Sequence, residues 1–169
     1  MNQNAEAWLS GPLPGITPLL QPAAHALEQL RRDLPPLLCG LPHERLWTRP
    51  GHSASIGYHA VHLAGSLDRL FTYARGEGLS DGQRTALARE RAIDEEQPGV
   101  ERVVALLEGA LESALEQLGH TREEDLLVHR EVGRARAPST ALGLLFHGAE
   151  HSARHAGQIV TLVRVTETT

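Results

Sequence analysis

Four stretches of this chain carry apolar residues at alternating steps of three and four, while few runs alternate with a period of two. That pattern constrains the fold most. A side chain returns to one helix face about every 3.6 residues, but to one sheet face every second residue. Ile16, Leu20, Ala23, Leu27, Leu30 and Leu34 form the first stripe, and Pro35-Pro36 is expected to stop it. A second helix is expected from Ser53 to about Ala74 on Ile56, Leu63, Leu67, Leu70 and Phe71, with Gly76 and Gly78 ending it. Pro98 suits the first turn of a third, which carries Val100, Val104, Leu107, Leu111, Ala114 and Leu118 as far as Gly119. Pro138-Ser139-Thr140 is expected to begin a last helix running to Val165. The expected fold is all-α, a four-helix bundle with long crossover connections and an extra short helix.

The connecting segments read as follows. Residues 1–15 are expected to be irregular, broken by Gly11, Pro12, Pro14 and Gly15. Residues 35–51 form a long connection, with Trp47 as its anchor to the body. Ser80-Asp81-Gly82-Gln83 resembles a capping box and opens the extra short helix, through about Ile93. Residues 120–137 are polar, with Val128 to Val132 extended. A length of 169 residues predicts one domain over residues 1–169.

Composition removes several classes of function. A net charge of −5 argues against a nucleic-acid partner. The start of the chain has no basic segment followed by an apolar run, and no stretch reaches about 20 apolar residues, so neither a secretory signal nor a membrane helix is expected. The one cysteine, Cys39, excludes an internal disulfide framework and a thiolate-rich zinc site, and fits a cytoplasmic protein. Ten histidines are many for this length. Any metal here must use imidazole and carboxylate ligands.

The histidines fall into register. With His151 at zero, His155 lies at about +40° and His147 at about −40° around the last helix. Leu144 and Leu162 fall near +20° and Gln158 near −20°, so these histidines share the apolar face. Histidines four apart on one helix face can bind one divalent ion. The second helix adds His59 and His62, about 60° apart. Periodicity sets His59 nearer the centre of the stripe and His62 at its edge, and both remain candidates. His25, His43, His120 and His129 fall at surface or loop positions. The run His147-Gly148-Ala149-Glu150-His151 also matches the inverted zinc-protease pattern His-x-x-Glu-His, with Glu150 as base. The shortage of strands and the unexplained His155 argue against that reading.

The run His151-x-x-x-His155-x-Gly157-Gln158-Ile159, on a helix ending Leu162-Val163-Arg164, resembles the DinB/YfiT-like superfamily of metal-dependent four-helix-bundle proteins. Ser55, followed by six residues and His62-Leu63, resembles that family's pattern in the second helix. The resemblance implies His62, His151 and His155 as metal ligands. His59 and His147 become possible pocket neighbours, and Gln158 a hydrogen-bond partner that orients a ligand. Gly157 then admits an adjacent helix. The family's acidic residue shortly after the first His has no counterpart, since Gly65 and Ser66 stand there.

A three-His site leaves open positions on a divalent ion. The resemblance implies zinc, nickel, iron or manganese and a small-molecule substrate. The favoured activity is a thiol-dependent S-transferase acting on electrophiles with bacillithiol, mycothiol or glutathione. Arg69, Arg154 and Arg164 are candidates to hold an anionic thiol. The alternatives are a hydrolase that uses metal-bound water and a non-enzymatic metal-binding or interaction bundle. A homodimer is expected from the same resemblance.

Overall fold

The structure, a computed structural model, describes residues 6–167. Ala7–Ser10 and Pro18–Leu20 form single 3₁₀ turns ahead of the first long helix. Between them His25 Nε2 lies 2.9 Å from the Gly11 carbonyl, and one side chain makes three bonds. Gln21 accepts from the Leu13 N–H at 2.8 Å and donates to the carbonyls of Leu13 and Ile16, both at 2.9 Å. The irregular segment expected over residues 1–15 thus contains a short turn, and its first five residues lie outside the described ones.

Helix α1 spans Gln21–Cys39, so Pro35 and Pro36 do not stop it. A proline removes the bond to the carbonyl four residues earlier. Here those carbonyls belong to Arg31 and Arg32, which lie on the exposed side where water competes for them. Past the prolines Leu38 is fully buried. Burying a leucine contributes roughly 1.5–3 kcal/mol, enough to offset the lost bonds.

The expected connection over residues 35–51 contains α2, His43–Trp47. Trp47 fixes it. The indole is buried, donates from Nε1 to the Pro98 carbonyl at 3.3 Å, and covers Gly57, where a Cβ would stand 2.6 Å from the ring. Helix α3 follows over Ile56–Ala74. The capping box at Ser80 and Gln83 opens α4, Asp81–Glu90, and α5 covers Ile93–Glu96. Three short helices therefore stand where one was expected. Gln83 also docks α4 on α3, donating to Asp68 at 2.8 Å and to Thr72 at 2.7 Å.

Helix α6 covers Val100–His120 and α7 covers Ala141–Val165. Between them β1, His129–Val132, pairs antiparallel with β2, Ala137–Thr140, with His129 opposite Thr140. Pro138 and Ser139 thus belong to a strand. Thr140 is the N-cap of α7, its hydroxyl accepting from the Gly143 N–H at 3.0 Å.

Helices α1 and α3 each pack against both α6 and α7. Around the bundle the order is α1, α6, α3, α7. The links from α1 to α3 and from α6 to α7 therefore cross it diagonally, which is why they are long. Leu27, Leu34, Leu63, Leu67, Leu107, Leu111 and Ile159 meet in a core closed to solvent. The fold is the all-α bundle read from the stripes. Among the described residues, no helix is long and apolar enough to cross a membrane.

Candidate metal centre

Two local devices aim α3 and α7 at each other. Ser55 caps α3. Its buried hydroxyl accepts from the Tyr58 N–H at 2.9 Å and donates to Asp94 of α5 at 2.5 Å. The cap sets the first turn, and His59 and His62 follow on it. On α7, Gly148, Ala149, Ser152 and Ala156 are small and buried. A Cβ at Gly148 would stand 2.8 Å from the Phe71 ring of α3, so glycine admits the close approach. That approach brings His151 and His155 against α3.

The ligand-capable nitrogens of His62, His151 and His155 all lie within 4.8 Å of one another. The His62 and His151 Nε2 atoms are 3.1 Å apart. The ring centroids of His62 and His155 are 4.5 Å apart, as are those of His151 and His155. The other nitrogens are occupied outward. His62 Nδ1 lies 2.5 Å from Glu90 Oε1, His155 Nδ1 lies 2.9 Å from His59 Nδ1, and Arg154 Nη2 lies 3.4 Å from His151 Nδ1. Because Arg154 can only donate, the neutral His151 without metal carries its proton on Nε2 and gives it to His62 Nε2, the position an ion would take over.

Electrostatics favour neutral rings at His155, His59 and His151. Burial pushes His155 down to about 4, and His62, His151 and His59 push the same way. His59 and His151 are also lowered, by burial first and then by His62. A neutral imidazole offers a lone pair, which a metal requires. Burial raises Glu90, but the bonds from His62 and Arg69 outweigh it and hold the carboxyl below its ordinary range. An ionised carboxylate only accepts, so His62 carries its proton on Nδ1.

These residues fit a divalent cation. Two nitrogens each about 2.0–2.1 Å from a tetrahedral ion stand about 3.3 Å apart, close to the His62–His151 separation. The three-His group can bind a divalent metal. The rings are only partly buried, so solvent reaches the centre.

The remaining expected residues fall elsewhere. His59 lies beside the cluster, on His155. Periodicity favoured it over His62; both turn toward α7, and His62 is the one among the three convergent rings. His147 is exposed, 3.5 Å from Glu150, with its ring centroid 5.6 Å from that of His151. Gln158 is exposed, and among the described residues no hydrogen bond joins it to these rings. Gly157 is exposed too, and a Cβ there would meet nothing within 4 Å; the close approach belongs to Gly148. Glu150 is held by Arg154 at 2.7 Å, and the only strands among the described residues form one short hairpin. The inverted zinc-protease reading has no support in this arrangement.

Sequence reasoning missed Glu90 and Tyr58. Arg69, expected as a holder of an anionic thiol, donates to Glu90 at 2.9 Å. The Tyr58 ring lies parallel to that of His62 at 5.7 Å, and its spacing of four residues before His62 is a signal that was available. Nothing local marks Glu90, which arrives from α4. A cleft of about 510 Å³ runs between α3, α4 and α6. Arg69 and Glu90 line it, and none of the four histidines does.

The sequence model of the DinB superfamily matches residues 26–159. No curated protein matches the chain.

Proposed function

The chain belongs to the DinB superfamily, and on that premise we propose that it is a metal-dependent enzyme whose divalent ion is held by His62, His151 and His155. The whole chain works as one domain, on a small-molecule electrophile, in the cytoplasm, as a homodimer. Imidazole ligation suits zinc, nickel or iron. Three neutral ligands leave such an ion its full positive charge and open positions, where it lowers the pKa of an entering thiol.

The activity we propose is S-transfer from a low-molecular-weight thiol. The observation that carries it is the state of the carboxylates around the cluster. Glu90 is buried and bonded by His62 and Arg69, while Glu150 is held by Arg154. In a hydrolase the same ion would acidify its bound water, but neither carboxylate is free to take the proton on. A thiol is far more acidic than water and would need no such base at the ion. Its sulfur would bond to the carbon of the electrophile as that carbon's bond to the leaving group breaks, and the leaving group and a proton would depart. Arg154, exposed beside His151 and paired with Glu150, would exchange that pairing for a carboxylate of the thiol.

The test is direct. Metal-loaded protein is mixed with glutathione or bacillithiol and a halo-aromatic, and conjugate is followed by absorbance. Conjugate formation that disappears with a chelator, and returns with zinc, supports the reading. Conjugation that is indifferent to metal overturns it.

A further inference from the structure

Glu90 occupies a costly position. It is the last residue of α4, where the helix dipole disfavours a negative charge, and it is 7 % exposed. A carboxylate kept there has an interaction that outweighs both penalties. Its two oxygens are divided. Oε1 meets His62 Nδ1 at 2.5 Å and Oε2 meets Arg69 Nη1 at 2.9 Å.

The neighbouring helix is shaped for this pair. A Cβ on Gly65 would stand 2.8 Å from both Arg69 Nη1 and Glu90 Oε2. Those atoms are the ends of long side chains, but both are pinned, with the Arg69 and Glu90 side chains 12 % and 8 % exposed. Any residue larger than glycine displaces the pair. Gly65 therefore clears a slot on α3, one turn from His62, through which a carboxylate from α4 reaches the imidazole.

We propose that Glu90 is a positioning residue: seated in the slot left by Gly65 and held by Arg69, it fixes His62 with the proton on Nδ1 and turns Nε2 to His151 and His155. The role rests on His62 being a ligand of the centre. A ligating imidazole whose other nitrogen donates to a carboxylate is fixed in tautomer and ring angle and is a stronger base. His155 has only a neutral imidazole, His59, in that place. Among the described residues, Glu90 is thus the one anionic partner bonded to these three rings. It supplies from another helix the negative charge that no residue of α3 places beside His62.

The test uses the full chain and two variants, Glu90→Gln and Gly65→Ala. Nitrogen-15 NMR of the metal-free protein reads the imidazole tautomers, and competition with a chromogenic chelator reads zinc affinity. In the wild type His62 shows a single Nδ1–H form. Glu90→Gln is expected to mix the tautomers and to weaken zinc by roughly 10–100-fold. Gly65→Ala, which keeps every charge, is expected to do the same in kind. If both variants keep the wild-type tautomer and affinity, the proposal is wrong. If Glu90→Gln does not fold, Gly65→Ala decides alone by the same two readings. If the wild type binds no zinc, the metal reading fails, while the tautomer spectra still decide what Glu90 does.

Discussion

On helix α3, Leu63 and Leu67 face the core, whereas His59 and His62 face α7, and the two sides are held by different physics. The leucines are fully buried among other leucines, Ile56 and Phe71. Their contribution scales with area and is tolerant of partner, because apolar burial has no direction. On the other side each contact has a donor and an acceptor. His62 serves Glu90, His155 serves His59, and one ligand-capable nitrogen from each of His62, His151 and His155 converges on the centre. One side can lose a methylene and still bury the rest. The other loses its chemistry if one ring turns over.

The comparison predicts opposite responses to truncation. His151→Ala removes one of three ligands. Zinc affinity by chelator competition is expected to fall more than a hundredfold, beyond the range for loss of an orienting partner, and conjugate formation is expected to vanish. The metal-free variant should melt within about 1 kcal/mol of wild type, since His151 is only partly buried. Leu63→Ala should do the reverse. It is expected to cost about 2–5 kcal/mol in urea unfolding, with the zinc affinity of the folded fraction unchanged. If Leu63→Ala weakens zinc as much as His151→Ala does, the two sides of α3 are not separable.

How much of this was legible in the sequence follows the same division. The stripes specified the bundle, because apolar periodicity is a local signal. The His151–His155 pair was legible for the same reason, and the spacing from Ser55 to His62 through the family resemblance; the cap at Ser55 was not read, since the helix was expected to begin at Ser53. Pro35 and Pro36 misled, since local rules stop a helix that the burial of Leu38 carries on. Glu90 was invisible. It sits 28 residues beyond His62, on a short polar helix whose docking depends on Gln83 reaching Asp68 and Thr72. Gly65 read as a missing acid, and it is the space through which an acid arrives. The glycine assigned to close helix approach, Gly157, was the wrong one; Gly148 meets Phe71.

The polar side should also govern the response of the metal-free protein to acid. His155 moves from an ordinary 6.5 to about 4 on folding. Between those values the unfolded chain binds more protons than the folded one. The stability this ring contributes is present above about pH 6.5 and is lost as pH falls toward 4. His59 and His151 shift in the same direction. Glu90, held below 4.5, adds a second loss at more acid pH, as its carboxyl is protonated and releases His62 and Arg69. Calorimetric melting points without metal should therefore fall between pH 7 and 4.5, and less steeply in His155→Ala. A wild-type profile flat over that window would mean that folding leaves the rings at their ordinary pKa and that burial does not hold them neutral.

The smallest expected effect concerns Gly157, and it bears on the outer surface of α7. A glycine inside an exposed stretch of helix costs about 0.5–1 kcal/mol relative to alanine. Among the described residues, nothing beyond its own helical backbone and chain neighbours lies within 4 Å of the Cβ that Gly157→Ala would add. The variant is expected to gain about that amount in urea unfolding, with zinc affinity unchanged. The proposed homodimer offers the contrary outcome. If Gly157 is small because a second copy packs on it, the added methyl costs stability, and the loss grows with protein concentration. Unfolding at two concentrations tenfold apart separates the two cases: a concentration-independent gain leaves this surface to solvent, and a concentration-dependent loss gives it to the dimer.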